Sequence, residues 1–345
     1  MLSTEDDYNF KVLKYLDVQE VLSILKHMLI WFNQTEYFEY TEVTMADQFC
    51  RHHLDEIRHI AESHRTTLFS LYVLNIVFSL MATFGSTLAI QALRKTLLLP
   101  TNIRKLLLSL AFSDLAVGLF AHIMLAVVFK VSINYNLEVL CPVTLTFCYV
   151  ILYLLVCASF LNVTAIAVDR LFAVSLHLRY QELVTPKRVT VALVAVWLTS
   201  CTSACVFVTT LTLNLPLVLS SVGFLLTTVA YFRVYEVARY HGNQIHNQTQ
   251  QQNSQAVVLL RERKSALNVV YIYAVFVACY LPNFCCLVLL KAGNRPDSVL
   301  EVYHITIFVI LLNSSLNPFI YCWRFPEVRG IMKRMLKKFF RVPGG

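Results

Sequence analysis

Seven long apolar runs, each nearly free of charge, constrain this chain more than any other feature of its sequence. They lie near residues 68–93, 105–129, 142–174, 188–212, 215–238, 265–291 and 302–323. About 20 mostly apolar residues are enough for a helix to cross a bilayer, whereas a membrane barrel shows shorter segments of alternating character. The pattern therefore predicts an all-α membrane protein built as a seven-transmembrane helix bundle.

The composition leaves little room for a large water-soluble domain. Of the 345 residues, 57% are hydrophobic and only 14% are charged, whereas soluble domains carry about 25% charged residues. We expect an extracellular, partly disordered N-terminal segment (1–67), a membrane domain (68–323) and a cytoplasmic tail (324–345). In the tail, Pro326 and Glu327 indicate a helix start. Apolar residues interleaved with Lys and Arg predict that this helix is amphipathic and lies on membrane lipids.

Basic residues are unevenly divided between the two sides of the predicted bundle. If the N-terminus lies outside, the cytoplasmic connections hold Arg94, Lys95, Arg104, Lys105, Arg179, Lys187, Arg188, Arg233, Arg239, Arg261, Arg263 and Lys264. The outer loops between helices hold only Lys130, Lys291 and Arg295. This asymmetry predicts a multi-pass plasma-membrane protein with its N-terminus outside. The net charge of +8 then reflects topology and attraction to anionic lipids, not binding of nucleic acid.

Two covalent features are predicted on the outer side. Asn33 begins an Asn-Gln-Thr sequon, which predicts glycosylation. Cys50 and Cys141 are the cysteines expected outside the membrane on that side, while most others lie within the apolar runs as small apolar side chains. A Cys50–Cys141 disulfide is one hypothesis, and two free thiols is the other.

Ionisable residues inside the apolar runs are the first candidates for function. Each costs roughly 2.5–3.5 kcal/mol to insert into a membrane. Asp114 lies within the second run, and the pair Asp169-Arg170 ends the third. Residue type alone leaves a purely structural alternative open for each: a hydrogen-bonded polar group for Asp114, and an ordinary interfacial charge pair for Asp169-Arg170.

Five short motifs then occur in the order and spacing of one family. They are Asp169-Arg170-Leu171, the complete Asn-Pro-x-x-Tyr sequence from Asn317 to Tyr321, Leu110-Ala111 before Asp114, Trp197 midway along the fourth run, and Pro282 after Tyr280-Leu281. The chain resembles the rhodopsin-like (class A) G-protein-coupled receptors over about residues 68–340. The resemblance implies seven helices and activation motifs that include Phe160, Phe276, Pro282 and Pro318.

Several positions depart from the family pattern. Leu171, Ser86, Tyr280 and Gly223 stand where the family usually has tyrosine, asparagine, tryptophan and proline, respectively. Leu145 stands where a disulfide-forming cysteine is usual, and the second outer loop is very short. The short loop, the missing proline at Gly223 and the missing disulfide resemble the melanocortin-type receptors of the class, and the segment 177–184 resembles melanocortin- and adenosine-related receptors.

The resemblance implies two polar sites below the outer surface. Asp114, Ser159, Asn313 and Asn317 match the positions that hold an allosteric sodium ion in related receptors, which would favour the resting state. At the cytoplasmic side, Glu262 lies 20 residues before Pro282, the family spacing for the acid that pairs with Arg170. Tyr231 and Tyr321 match the tyrosines that support the open state. A solvated loop charge is the plain alternative for Glu262.

The resemblance also implies a ligand pocket among the outer halves of the helices. Its positions are Tyr149, Leu152, Tyr153, Val156, Tyr280, Asn283, Phe284, Leu287, Tyr303 and Ile307. Leu152 stands where amine receptors have an aspartate, and Leu311 where opsins have a lysine. An apolar, aromatic pocket with few polar groups favours a neutral or lipid-like extracellular ligand. Plain helix packing is the alternative explanation of these aromatic residues.

The function that the resemblance implies is activation of heterotrimeric G proteins. A ligand would bind one helix arrangement more tightly and shift the population towards it, chiefly by moving the sixth helix. The alternatives are a seven-helix scaffold or decoy that does not signal, and a channel or transporter, which would need a continuous polar path. We expect no enzyme activity, because no metal-ligand cluster or nucleophile–base set is apparent.

Overall fold

Helices make up nearly all of the part of the chain that the structure describes. The computed structural model describes residues 62–97, 99–134, 143–176, 179–210, 214–248, 273–293 and 297–339. Within these ranges, seven helices are long and apolar enough to cross a membrane, which confirms the predicted bundle. They are α1 (Arg65–Lys95), α2 (Thr101–Ile133), α3 (Val143–Leu176), α4 (Pro186–Thr210), α5 (Asn214–Gln248), α6 (Tyr273–Lys291) and α7 (Asp297–Arg324).

The helices pack around α3, which contacts α2, α4 and α5, while α1 packs against α2 and α7. One buried apolar cluster includes Phe129, Leu152 and Leu311, and a second includes Leu107 and Phe276. Large apolar side chains also point away from the bundle: Leu80, Val191, Leu198 and Phe319 are each more than 60% exposed. These side chains fit a lipid surround, because a bilayer stabilises outward-facing apolar groups that water would not.

A π-helical turn widens α2 in the middle of its length. The turn spans Val117–Ala121, and such turns leave backbone groups that need other partners. The Ser79 hydroxyl of α1 donates a 2.8 Å hydrogen bond to the Gly118 carbonyl. A Cβ at Gly118 would lie 2.8 Å from the backbone nitrogen of Thr83. Glycine therefore allows α1 and α2 to approach closely enough for the serine to satisfy the turn.

The C-terminal helix α8 (Pro326–Phe339) has the predicted amphipathic character. Val328, Ile331 and Met332 are buried, and the helix packs against α1 and α7. On its other face lie the exposed basic residues Arg329, Lys333, Arg334, Lys337 and Lys338. The Glu327 carboxylate accepts a 3.1 Å hydrogen bond from the backbone N–H of Leu97, which ties the start of α8 to the connection between α1 and α2.

Candidate functional site

Asp114 is at the centre of a fully buried polar cluster that joins three helices. Its side chain is 0% exposed. Asn317 on α7 donates a 2.9 Å hydrogen bond from Nδ2 to Asp114 Oδ2, and Ser159 on α3 approaches Asp114 Oδ1 at 3.5 Å. Ser314 is a further hydrogen-bonding neighbour of the carboxylate. The sequence did not single out Ser314, although it lies three residues before Asn317 and so on the same side of α7.

The residues of this cluster fit a small, hard cation. Such ions take oxygen ligands, and the cluster offers the Asp114 carboxylate together with the hydroxyls of Ser159 and Ser314. The side-chain Nδ2 of Asn313 is buried and lacks a hydrogen-bond partner within the described structure, so this amide is available to reorient its oxygen towards an ion. In the described ranges no three His, Cys, Asp or Glu side chains converge. A single carboxylate suits a monovalent ion better than a divalent one.

Five aromatic rings form a layer directly above the Asp114 cluster. The Phe160 ring lies 5.4 Å from Phe224, 5.3 Å from Phe276 and 5.2 Å from Tyr280, measured between centroids. Phe224 also packs against Phe284 at 5.4 Å. Tyr280 is within hydrogen-bonding or electrostatic range of Ser159, Asn313 and Asp114. The layer therefore connects α3, α5 and α6 and contacts the polar cluster through one hydroxyl.

Above this layer lies an outer cavity with a volume of about 110 Å³, which is partly open to solvent. All ten positions predicted for the ligand pocket line it: Tyr149, Leu152, Tyr153, Val156, Tyr280, Asn283, Phe284, Leu287, Tyr303 and Ile307. The structure therefore brings the predicted residues together in one place.

The polar groups of the cavity are few and mostly engaged with neighbouring helices. Asn283 donates a 3.0 Å hydrogen bond to the Thr306 hydroxyl, which joins α6 to α7. Ser203 on α4 donates a 3.2 Å hydrogen bond to the Tyr153 hydroxyl, and the Tyr153 ring stacks on Phe207 at 4.9 Å. No lining residue in the described part of the chain carries a formal charge.

Sequence reasoning missed the wall of the cavity that α4 and α5 provide. Of the other lining residues, Cys157 lies on α3 and Ile310 on α7, and Phe160 on α3 is one of the predicted activation residues. The residues of the missed wall are Phe207, Pro216, Leu219, Ser220 and Phe224. Four of them, from Pro216 to Phe224, recur at intervals of three, one and four residues, which places them on one face of α5. This spacing was a usable signal, but it does not by itself say which face of the helix points inward.

At the other end of the bundle, Asp169 and Arg170 form an ion pair within α3. Asp169 is 5% exposed, and the Tyr180 hydroxyl donates a 2.7 Å hydrogen bond to its Oδ1. Partial burial, followed by the hydrogen bond to Asp169, raises the pKa of Tyr180 above its ordinary value. Tyr180 therefore stays protonated and able to donate, and it holds the carboxylate beside Arg170.

The predicted cytoplasmic connections gather around this ion pair. Tyr180 belongs to a single helical turn, Tyr180–Leu183, between α3 and α4. Asn102 at the start of α2 donates a 2.5 Å hydrogen bond to the Val184 carbonyl, and Lys105 donates one of 2.9 Å to the Pro186 carbonyl. The connection between α3 and α4 is therefore anchored to α2.

The two tyrosines of the predicted open state are both buried near this end. Tyr231 on α5 packs against Tyr273 on α6, with ring centroids 5.3 Å apart. Its hydroxyl is in electrostatic range of Arg170 and of Arg324 on α7, a cation that sequence reasoning did not select. The Tyr321 hydroxyl is buried without a hydrogen-bond partner among the described residues, so it is available for a contact in another arrangement.

Several predicted residues lie outside the described residues: Asn33, Cys50, Cys141 and Glu262. The glycosylation site, the disulfide and the acid proposed to pair with Arg170 therefore stay predictions. In the described structure, Arg170 has Asp169 as its ion-pair partner.

The sequence pattern described as 7 transmembrane receptor (rhodopsin family) matches residues 85–216 and 206–321. These ranges cover α2 to α6 in full, nearly all of α7 and the last third of α1, and they amount to more than half of the chain. The chain belongs to the rhodopsin family of seven-transmembrane receptors. Members of this family are G-protein-coupled receptors and not enzymes, so the receptor interpretation is confirmed at the level of the family.

The receptor is distantly similar to characterised members of this family. It is 25% identical over 280 residues to the histamine H2 receptor of Cavia porcellus, which covers 73% of this chain and 75% of that receptor. Identity to the Homo sapiens histamine H2 receptor is 28% over 244 residues, covering 62% of this chain and 65% of that receptor, just under two thirds. Identity to the Rattus norvegicus adenosine receptor A2b is 24% over 311 residues, covering 78% and 91%, respectively.

Two of the receptor's departures from its family meet in the aromatic layer. Tyr280 is fully surrounded by other rings and polar groups, and Gly223 lies directly beside the Phe160 ring. The adenosine-related part of the predicted resemblance has a counterpart in the A2b receptor. The melanocortin-related part rests on the short outer loop and the missing proline and cysteine.

Proposed function

We propose that this receptor binds an uncharged, largely apolar ligand in the outer cavity and activates heterotrimeric G proteins at its cytoplasmic end. The observation that carries the ligand class is the absence of formal charge from the described cavity lining. A charged ligand buried there would lose its hydration without gaining a counter-charge, which costs several kcal/mol. An uncharged ligand pays no such penalty and gains contact with the aromatic walls.

The receptors for histamine among its relatives are named for a ligand that is a cation at neutral pH. In this chain Leu152, an uncharged residue, is the side chain at the α3 position where amine receptors have an aspartate, and it lines the cavity. We therefore expect a ligand class different from that of these relatives. The remaining polar groups, Asn283 and the tyrosine hydroxyls, suit a ligand with one or two hydrogen-bonding groups.

Activation is proposed to proceed by a population shift. A ligand that contacts α3, α5 and α6 more favourably in one arrangement stabilises that arrangement, and nearly complete switching needs about 5.5 kcal/mol of differential affinity. At the cytoplasmic end, outward movement of α6 would separate Tyr273 from Tyr231 and leave room for a G-protein segment beside Arg170. Glu262 is proposed to pair with Arg170 in the resting state and to release it in the active one.

The orientation is part of this proposal. The basic connections that contact α2 and α8 lie at the same end of the bundle as Arg170, and α8 exposes five basic side chains there. Positive residues concentrate on the cytoplasmic side of plasma-membrane proteins. We therefore place the Arg170 end inside the cell and the N-terminus outside, with α8 on the inner leaflet.

A sodium ion in the Asp114 cluster is the remaining part of the proposal. The ion would be held by the Asp114 carboxylate with Ser159, Asn313 and Asn317 around it. It would supply positive charge to a buried carboxylate that otherwise has only neutral hydrogen-bond donors. Because the cluster joins α2, α3 and α7, an ion bound there would hold these helices in the resting arrangement.

The test is a ligand screen with two matched variants. The full-length receptor in lipid nanodiscs is presented with an uncharged and a cationic compound library, and nucleotide exchange is measured on a panel of purified G proteins. Leu152→Trp fills the cavity and should abolish the response to any compound that activates the native receptor. Phe147→Trp changes a lipid-exposed residue of the same helix and should leave the response intact.

Active compounds that are uncharged and lose their effect in Leu152→Trp support the proposal. Active cations, or uncharged compounds that act equally on both variants, contradict the proposed ligand class. Compounds that bind in the cavity but drive no exchange on any G protein would favour the scaffold or decoy function instead.

A further inference from the structure

Arg94, in the last turn of α1, lies on the lipid-facing surface of the bundle. Its side chain is exposed, and its guanidinium carbon lies 5.5 Å from the centre of the Phe112 ring on α2. Phe112 is itself 42% exposed, so this contact is on the outside of the α1–α2 pair. Side chains of a helix incline towards its N-terminus, which for α1 is the opposite end of the bundle. The guanidinium is therefore held deeper in the membrane than the Arg94 backbone.

The hydrogen-bond donors of Arg94 differ from those of the other arginines at this end. Arg104 donates a 3.1 Å hydrogen bond to the Thr96 carbonyl, and Arg188 donates one of 2.7 Å to the Leu183 carbonyl. Arg94 has no hydrogen bond or ion pair with any residue that the structure describes. A guanidinium has five N–H donors, and stacking over a ring leaves the edge that carries them open. A cation at a lipid-facing surface is costly unless an anion or water reaches it.

The lipid-facing side of α1 changes from polar to apolar along the helix. Gln91 and Thr87, three and seven residues before Arg94, are exposed on the same face. The Thr87 hydroxyl bonds within its own helix, whereas the Gln91 amide has no hydrogen-bond partner among the described residues. Further along this face, Phe84 and Leu80 are 47% and 68% exposed. The face therefore has a polar end and an apolar continuation, as a phospholipid has.

The depth of Arg94 in the membrane matches that of lipid headgroups. The 31 residues of α1 span about 46 Å, which exceeds the hydrocarbon core of about 30 Å. Arg94 lies 14 residues beyond the helix midpoint at Leu80, or about 21 Å along the axis. Half of a bilayer with its headgroups measures about 20–22 Å. When α1 is centred in the bilayer, the Arg94 backbone lies among the headgroups and its inclined side chain points back to their phosphates.

We propose that Arg94 and Gln91, with the Phe112 ring supporting the guanidinium, form a binding site for one anionic phospholipid of the cytoplasmic leaflet. The guanidinium donates two parallel hydrogen bonds to the phosphate, and one acyl chain lies along Phe84 and Leu80. A headgroup with net negative charge is preferred, because a zwitterionic headgroup carries its own cation beside the phosphate. This inference rests on the proposed orientation, since anionic lipids belong to the cytoplasmic leaflet.

The test is native mass spectrometry of the full-length receptor released from nanodiscs of equimolar phosphatidylglycerol and phosphatidylcholine. The native receptor should retain phosphatidylglycerol in preference to phosphatidylcholine. Arg94→Gln removes the charge and should lower the ratio of phosphatidylglycerol-bound to unbound receptor roughly tenfold. Phe112→Leu removes the ring but keeps an apolar side chain, and should lower this ratio roughly two- to fivefold. Arg188→Gln removes an equal charge at the same end of the bundle and should leave the ratio at its native value.

Equal ratios for Arg94→Gln and Arg188→Gln would overturn the inference, because the lipid would then be held by general surface charge. Equal retention of the two lipids by the native receptor would overturn the anionic headgroup.

A second measurement separates a lipid from a free phosphate group. Glycerophosphoglycerol, which is the headgroup without acyl chains, and short-chain phosphatidylglycerol are each added to the receptor in neutral detergent. Only the lipid should raise the thermal midpoint, and an equal rise with both compounds would overturn the lipid as the occupant. Nanodiscs present two identical leaflets, so these measurements do not depend on orientation or on G proteins. Selective retention that depends on Arg94 therefore supports this site even if no G protein is activated, and the two failures are distinguishable.

Discussion

Asn317 donates a 2.9 Å hydrogen bond from its Nδ2 to Asp114 Oδ2 and so joins α7 to α2 across the interior of the bundle. Both side chains are buried, at 5% and 0% exposure, respectively. A carboxylate without water needs compensation, and the neutral donors around Asp114 provide only part of it. The arrangement of helices and the occupancy of the cluster by a cation are therefore expected to depend on each other.

The first prediction concerns sodium. Saturating sodium should raise the thermal midpoint of the native receptor relative to choline chloride at the same ionic strength, because an ion that binds only the folded state stabilises it by about 1.4 kcal/mol at ten times its Kd. In Asp114→Asn, which removes the charge and keeps the shape, the sodium effect should disappear. Glu236→Gln, at an exposed ion pair with Arg233, is the control and should retain it. If sodium raises the thermal midpoint equally in all three proteins, the Asp114 cluster is not its binding site.

The second prediction concerns the π turn in α2. Ser79→Ala removes the hydroxyl that satisfies the Gly118 carbonyl, and we expect it to destabilise the receptor by about 1 kcal/mol. Ser70→Ala is a matched control on the same helix, because its exposed hydroxyl bonds only to the Thr66 carbonyl one turn earlier. Thermal unfolding of both variants measures the difference. Equal midpoints for the two variants would show that the interhelical hydrogen bond contributes nothing.

The sequence predicts the helices well because membrane burial leaves few alternatives for long apolar runs. It also locates Asp114 and Arg170, since an ionisable residue in such a run is costly and therefore conspicuous. The π turn at Val117–Ala121 and the close contact of the Phe160 ring with Gly223 could not be predicted, because they depend on contacts between helices. Nothing local in the sequence says that Ser79 faces Gly118, or that the Phe160 ring fills the place of a side chain on α5.

The residues of the outer cavity could also be predicted only in part. Its ten predicted positions came from a resemblance to the family, and the structure places all ten in one cavity. The residues that were missed on α4 and α5, among them Phe207 and Leu219, face inward only because those helices take a particular rotation in the bundle. Hydrophobic side chains on a membrane helix face lipid and interior alike, so hydropathy alone does not give the rotation.

The third prediction concerns the ion pair in α3. Asp169→Asn should free Arg170 and raise agonist-free nucleotide exchange by roughly three- to tenfold, because a partly exposed pair contributes about 1 kcal/mol to the resting state. Glu262→Ala should also raise exchange if this acid pairs with Arg170. Tyr180→Phe loses one hydrogen bond to Asp169 but keeps the charge pair, so a smaller rise is expected. Unchanged exchange in both Asp169→Asn and Glu262→Ala would rule out an ion pair with Arg170 that stabilises the resting state.

The most direct test of the central claim compares the native receptor, Asp169→Asn and Arg170→Ala in nanodiscs, with nucleotide exchange measured on a panel of purified heterotrimeric G proteins. Arg170 is the cation that the proposed movement of α6 would expose to the G protein. We predict that Asp169→Asn drives faster nucleotide exchange than the native receptor on at least one G protein. Exchange with Arg170→Ala should fall to the rate seen with empty nanodiscs. Activation of G proteins through Arg170 is contradicted if all three receptors give the same exchange rate as empty nanodiscs on every G protein. It is also contradicted if Arg170→Ala gives the same exchange rate as the native receptor.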